Sequence, residues 1–334
     1  MDSNLSGVNV FLTGATGFIG SHLAEALVKA GANVTCLVRD ISKIEWLVGL
    51  DVTLVKGDIT DINTYIYSLK DIDIIYHVAG LGLSRMKSNM DLNANAAKAI
   101  AEACKQNPHI KTVIFLSSIK AVRPCIKGIP INEETIPKPT DFYGKSKYIS
   151  ENILKNSLSK TKLIIVRPPA VFGPRDKNFL TIFKMINKGI CMTLFNNGGT
   201  KFSLVYVKDL VEGLIQLSIK HNNYKEKSEV VFISSSDILS LNKFMSILKL
   251  VSNKKVINIH LFSIPTHFII KIITKIIGIF KLNHLPSPRI DDLFKYDWVC
   301  TTSKAKTKYG IVCGTTHEQA ITETWEWYKK SEWM

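Results

Sequence analysis

The stretch TGATGFIG, residues 13–20, constrains the fold more than any other, because it joins two segments of different period. Before it, VNVFLTG (8–14) is a short apolar run ending in glycine. After it, FIGSHLAEALVKAG (18–31) repeats apolar residues at helical spacing through Ile19, Leu23, Ala26 and Leu27, and stops at Gly31. That order reads as strand, tight turn, helix. Such a turn aims backbone N–H groups and the positive end of a helix at one point, where a pyrophosphate can sit. Gly14, Gly17 and Gly20 suit it because a Cβ would hold the backbone away from the phosphates or from the neighbouring strand. The spacing is GxxGxxG rather than the commoner GxGxxG, so the flanking strand and helix carry the assignment.

Further short apolar runs follow: NVTCLVR, VTLVKGD, DIIYHVAG, TVIFLSS and LIIVRPP, with helical segments such as LNANAAKAIAEAC between some of them. Nearly continuous apolar strands alternating with helices predict an α/β fold, a doubly wound parallel sheet of Rossmann type covered on both faces. Residues 1–170 are expected to form this nucleotide-binding domain, with elements of about 203–234 returning to it. Residues 171–202 and 235–334 are expected to form a smaller, mostly helical substrate lobe, with helices near 178–190, 208–220, 240–251 and 316–330.

A chain of 334 residues can bury a core of this size. The formal charge of +15 comes from scattered lysines, so it names no anionic partner, and no recognition helix or aromatic-interleaved basic stretch argues for nucleic acid. The cysteines (Cys36, Cys104, Cys125, Cys191, Cys300, Cys313) have neither CxxC pairing nor metal-type spacing with the histidines, which fits free thiols and a cytoplasmic protein without a metal. The N-terminus shows no basic-then-apolar signal segment.

The second strand ends CLVRD, with Arg39 where an NAD binder places an acidic side chain near the ribose hydroxyls. Arg39 suits a 2′-phosphate and favours NADP(H), while the adjacent Asp40 keeps NAD(H) open. Asp58, in KGDIT at the end of the third strand, can accept from an adenine amino group or serve as a turn or helix-capping aspartate.

In DFYGKSKYISEN (141–152), Tyr143 and Lys147 lie four apart on one helix face. A nearby ammonium favours the phenolate, so the pair can move a proton to or from a substrate oxygen while a nicotinamide handles the hydride. The motif follows a strand ending in Ser117 and Ser118, at the edge where open α/β sheets bind ligands. Either hydroxyl can hold the substrate oxygen.

In TGATGFIGSHL, GDITD, YHVAG, LNAN, FLSSIKAV, YGKSK, RPPAVFGPRD and LVYVKDLVEG, the sequence resembles the extended short-chain dehydrogenase/reductase family, also called the NAD-dependent epimerase/dehydratase family. The resemblance implies a catalytic set on Ser118, Tyr143 and Lys147, with Lys147 also holding the nicotinamide ribose. It implies a cofactor path along Gly14, Thr16, Gly17, Phe18, Ile19, Gly20, Arg39, Asp58, Ile59, Ala79 and Pro168, a supporting Asn93, and a homodimer.

Departures from the family pattern bear on the branch. Sugar dehydratases of the family carry an acidic pair after the serine, where this chain has Ile119 and Lys120. Sugar-nucleotide members carry an Asn and an Arg for the substrate diphosphate, where this chain has Ala170 and Phe202, with Lys201 and Arg175 as possible substitutes. The character is closer to dihydroflavonol-reductase-like and hydroxysteroid-dehydrogenase-like members. The expected function is an NAD(P)-dependent oxidoreductase acting between a secondary alcohol and a carbonyl on an apolar small molecule. The alternatives are an NDP-sugar epimerase using bound NAD and a non-catalytic nucleotide sensor. Residues 263–281 carry an apolar face with a lysine stripe, suited to a membrane interface, a substrate cap or a buried helix. His77, within an apolar strand, is expected to be a satisfied core histidine.

Overall fold

The computed structural model describes residues 4–80, 91–126, 128–194, 200–220, 226–261 and 296–334. The stretch 263–281 lies outside them. The first apolar run forms β1 (Asn9–Thr13), and the glycine turn leads into α1 (Phe18–Lys29). The later runs form β2 (Asn33–Val38), β3 (Val52–Lys56), β4 (Ile74–His77), β5 (Thr112–Leu116) and β6 (Lys162–Val166), with α2 (Asp91–Gln106) before β5 and α3 (Phe142–Ser157) before β6.

These strands and a later one, β10 (Ser228–Val231), make a seven-stranded sheet in the order β10-β6-β5-β4-β1-β2-β3. Every neighbouring pair is parallel, with Leu12 facing Cys36 on one side and Tyr76 on the other. The chain reverses direction of travel across the sheet between β1 and β4, which opens a crevice at their C-terminal ends.

Alternation along the strands explains the two faces. Val10, Leu12, Ile74 and Tyr76 belong to one buried cluster with Leu23 and Leu27 of α1 and with Leu210 and Leu214 of α5 (Val207–Lys220). Phe11, Ile75, Val113 and Phe115 point the other way, into a cluster with Ala97 and Ala101 of α2 and Leu154 of α3. A strand buried on both faces has no need of polar alternation, which is why these runs read as continuously apolar.

The second half supplies α4 (Leu180–Asn187), α6 (Leu241–Ser252), α7 (Ser303–Tyr309) and α8 (His317–Lys330). It also contains two small sheets that the helical period of this half does not announce. One pairs β7 (Ala170–Phe172), β9 (Lys201–Tyr206) and β11 (Ile238–Ser240); the other pairs β8 (Ile190–Leu194) with β12 (Ile257–Leu261). The aromatic C-terminus packs on the protein itself, Trp327 lying 5.9 Å from Trp46 and 4.9 Å from Trp333. No described helix is long and apolar enough to cross a membrane.

Candidate active site

The glycine turn is as tight as its sequence implies. Gly14 has a positive φ of 79°, and a Cβ there would lie 2.7 Å from the Ala79 backbone nitrogen. At Gly20 a Cβ would come within 2.0 Å of the Gly14 carbonyl oxygen, so the helix can approach the strand only without a side chain at that point. No side chain caps α1 at Gly17, which leaves the N–H groups of its first turn directed outward, while Thr16 and Gly17 are exposed at the rim. A narrow backbone cradle with uncapped donors fits the diphosphate of a dinucleotide. Phe18 and Ile19 continue into the first turn, half-buried.

Beneath the cradle, the Thr13 hydroxyl accepts from Ala79 N–H (3.2 Å) and lies 2.9 Å from His77 Nδ1. Burial, with Lys147 nearby, lowers the His77 pKa to about 3. The ring is therefore neutral at pH 7 and shares a hydrogen bond with the Thr13 hydroxyl through Nδ1. His77 is a bonded core residue that ties the end of β4 to the turn after β1.

At the other end of the cradle, Arg39 stands exposed after β2. Asp40 turns back on its own loop, accepting from Ser42 N and Oγ and pairing with Lys43 at 3.0 Å. Asp58 accepts from Thr60 N–H (2.8 Å) and Thr60 Oγ (2.7 Å), so one of its oxygens holds a turn; Ile59 beside it is buried.

The α3 helix brings Tyr143 and Lys147 to the same edge. Asp141 caps it, accepting from Gly144 N–H at 2.7 Å. Lys147 is buried, and its ammonium donates to the Leu116 carbonyl at 2.8 Å, two residues before Ser118. Burial pulls its pKa down to about 8, against the opposing effect of Glu151. An ammonium has three donors, and Leu116 takes one of them. A Cβ on Gly80 would lie 3.0 Å from Lys147 Nζ, which places the ammonium under the turn that leaves β4. Asn93 of α2 donates to Ser146 Oγ at 3.0 Å and fastens the two helices beside the lysine. Tyr143, one turn earlier, is partly exposed.

The two serines separate clearly. Ser117 donates to Glu151 (2.6 Å) in a buried set in which Arg167 grips both oxygens of the same carboxylate at 2.9 and 2.5 Å. Ser118, also buried but not tied to Glu151, accepts from Lys120 N–H at 3.2 Å, and the Pro168 carbonyl beside it accepts from Ile119 N–H. Glu151 and Arg167 were not among the sequence-derived candidates. Glu151 could have been found, since it extends the Tyr143 and Lys147 face by one further i, i+4 step; Arg167 could not, because its contact crosses from another strand.

Ala170 and Phe202 lie on adjacent strands beyond the serine turn. Phe202 packs against a buried cluster of Ile119, Val122, Ile131, Phe232, Trp298 and Cys300. Arg175 points elsewhere, bonded to Ser21 and Glu25 of α1 and stacked over Trp46, while Lys201 stays exposed.

Comparison with known proteins places this geometry. A model of the NAD dependent epimerase/dehydratase family matches residues 10–233. The chain is 27% identical over 259 residues to a sterol-4-alpha-carboxylate 3-dehydrogenase (decarboxylating) of Dictyostelium discoideum, covering 71% of this chain and 74% of the relative. It is 30% identical over 250 residues to a UDP-glucose 4-epimerase of Vibrio cholerae, covering 70% and 72%. The crystal structure of a UDP-glucose 4-epimerase of Thermotoga maritima with UDP-glucose shares the fold, with a TM-score of 0.77 at 21% identity over 97% of this chain and 100% of that one.

Proposed function

Because the chain belongs to the NAD dependent epimerase/dehydratase family, we propose that it is an NADP(H)-preferring oxidoreductase that interconverts a secondary alcohol and a carbonyl on an apolar, lipid-like small molecule. When bound, the nicotinamide cofactor supplies or accepts the hydride. The backbone from Gly14 to Gly20 would hold the diphosphate, Arg39 would clamp the 2′-phosphate, and Asp58 and Ile59 would flank the adenine. Ala79 and Pro168 would border the nicotinamide end, where Lys147 would hold the ribose hydroxyls. Ser118 donates to the substrate oxygen and orients it. Tyr143 protonates that oxygen in reduction and takes its proton in oxidation, helped by the positive charge of Lys147.

The observation that carries the substrate class is the packing of Phe202. Where a sugar-nucleotide enzyme is expected to present a cation to a diphosphate, this chain adds a ring to an apolar cluster containing Trp298. The candidate replacement Arg175 is committed to Glu25. A diphosphate placed there would lose its water without gaining a bidentate partner. The Dictyostelium relative, named for a sterol carboxylate, fits the same direction.

Fluorescence titration of NADPH and NADH against the wild type and Arg39→Ala tests the cofactor assignment. NADPH is expected to bind at least about tenfold more tightly than NADH, and Arg39→Ala to remove that preference. Equal affinities, or a variant that keeps the preference, would refute it. The 30% identity to the Vibrio epimerase favours a second reading, sugar-nucleotide epimerisation with held NAD. Protection of the fold by micromolar UDP-glucose would support that reading instead. A homodimer belongs to the same proposal, with Phe142 and Ile149 of α3 exposed to meet a second copy; light scattering gives the mass directly.

A further inference from the structure

Lys120 follows the site serine by two residues and has no part in the chemistry above. Its N–H donates to Ser118 Oγ. Its carbonyl oxygen lies 2.1 Å from where a Cβ on Gly144 would stand, so α3 begins in contact with the backbone of the serine turn. The side chain is 16% exposed, with its ammonium 3.2 Å from Asp141 Oδ2. It also lies 4.0 Å from the centre of the Trp298 ring. Asp141 uses its other oxygen to cap α3. Trp298 is fixed through its backbone: its main-chain N–H donates to the Lys201 carbonyl, and its main-chain carbonyl accepts from Ser203 N–H. One ammonium thus joins the serine turn, the start of the tyrosine helix and a C-terminal segment laid along β9.

We propose that Lys120 is a positioning residue for Tyr143: it neutralises Asp141 at the start of α3 and locks the serine turn to the tyrosine helix, with Trp298 as the surface it presses against. The inference rests on the oxidoreductase reading for the role of Tyr143, and on the geometry alone for the contact.

The physical reason is charge. Asp141 precedes the phenol by two residues, and an uncompensated carboxylate there would oppose the formation of phenolate. Lys120 cancels that carboxylate and gains from the indole face as it does so. Several other charged groups of α3 and the strands beside it have partners or positions of their own. Lys147 is bonded to Leu116, Glu151 and Arg167 hold each other, and His77 is neutral against Thr13. Lys145 lies exposed over Phe142.

The test is an ultraviolet difference titration of Tyr143 in the full-length chain, each protein measured against its own Tyr143→Phe counterpart. Lys120→Met is expected to raise the ionisation midpoint of Tyr143 by about 0.5–1 in pH, the order expected when one partly solvated carboxylate at the start of the helix is left unbalanced. Lys120→Arg should keep the wild-type midpoint, and Lys120→Met combined with Asp141→Asn should return to it. Asp141→Asn alone should lower the midpoint while leaving the helix capped, since Asn caps as well as Asp; this arm stands even if Lys120→Met does not fold. An unchanged midpoint in Lys120→Met, a rise that persists in the double variant, or no fall in Asp141→Asn would each overturn the proposal. Because the readout needs neither cofactor nor substrate, failure here is distinct from failure of the oxidoreductase reading, which the nucleotide titration decides.

Discussion

Lys147 makes the fold less stable at neutral pH than an apolar residue of the same shape would, and the size of that cost can be measured. Its pKa falls from 10.5 to about 8, chiefly through burial. At 1.36 kcal/mol for each pH unit, this shift corresponds to about 3 kcal/mol. A lysine whose folded pKa lies below its unfolded one destabilises fully at pH below about 8. The cost is relieved as pH rises from about 8 to 10.5, because there the unfolded chain binds more protons than the folded one. Lys147→Met keeps the length of the side chain and removes the charge. Urea unfolding of both proteins at matched pH values isolates this lysine, since other titrations cancel in the difference. Relative to Lys147→Met, the wild type should gain about 3 kcal/mol between pH 7 and 10.5. A difference that stays flat across that window would refute the reasoning. A group kept buried and charged at such a cost is what a catalytic role predicts.

Three further substitutions test separate parts of the site. Gly20→Ala sets a Cβ 2.0 Å from the Gly14 carbonyl oxygen and should cost about 3 kcal/mol or more in urea unfolding, with loss of nucleotide binding. Ser118→Ala should lower turnover about a hundredfold or more, since it removes a donor to the reacting oxygen, while costing only about 1 kcal/mol of stability through the lost cap on the Lys120 N–H. Ser117→Ala should do the reverse, lowering stability by about 1.5–3 kcal/mol through Glu151 while turnover falls far less. Steady-state kinetics beside chemical denaturation distinguish the two serines.

The sheet and the cradle were legible because their signals are local. Apolar runs, a glycine turn and a helical period each lie within a few residues. Tyr143 and Lys147 were legible for the same reason, as one helix face. Ser117 and Ser118 were indistinguishable in the sequence. Adjacent side chains at a strand end point in opposite directions, and only the buried Glu151 and Arg167 show which of them is taken. The contact of Lys120 with Trp298 joins residues about half the chain apart and carries no local pattern at all. The same holds for the pairing of β8 with β12, which joins residues 190–194 to 257–261.

The central claim is tested most directly by following absorbance at 340 nm when the purified protein is mixed with NADPH and either a steroid or sphingoid ketone or a UDP-sugar. Oxidation of NADPH by the apolar ketone, abolished in Tyr143→Phe, together with no conversion of the UDP-sugar, is the expected result. Conversion of UDP-glucose to its 4-epimer without added cofactor, with the ketones inert, would contradict it.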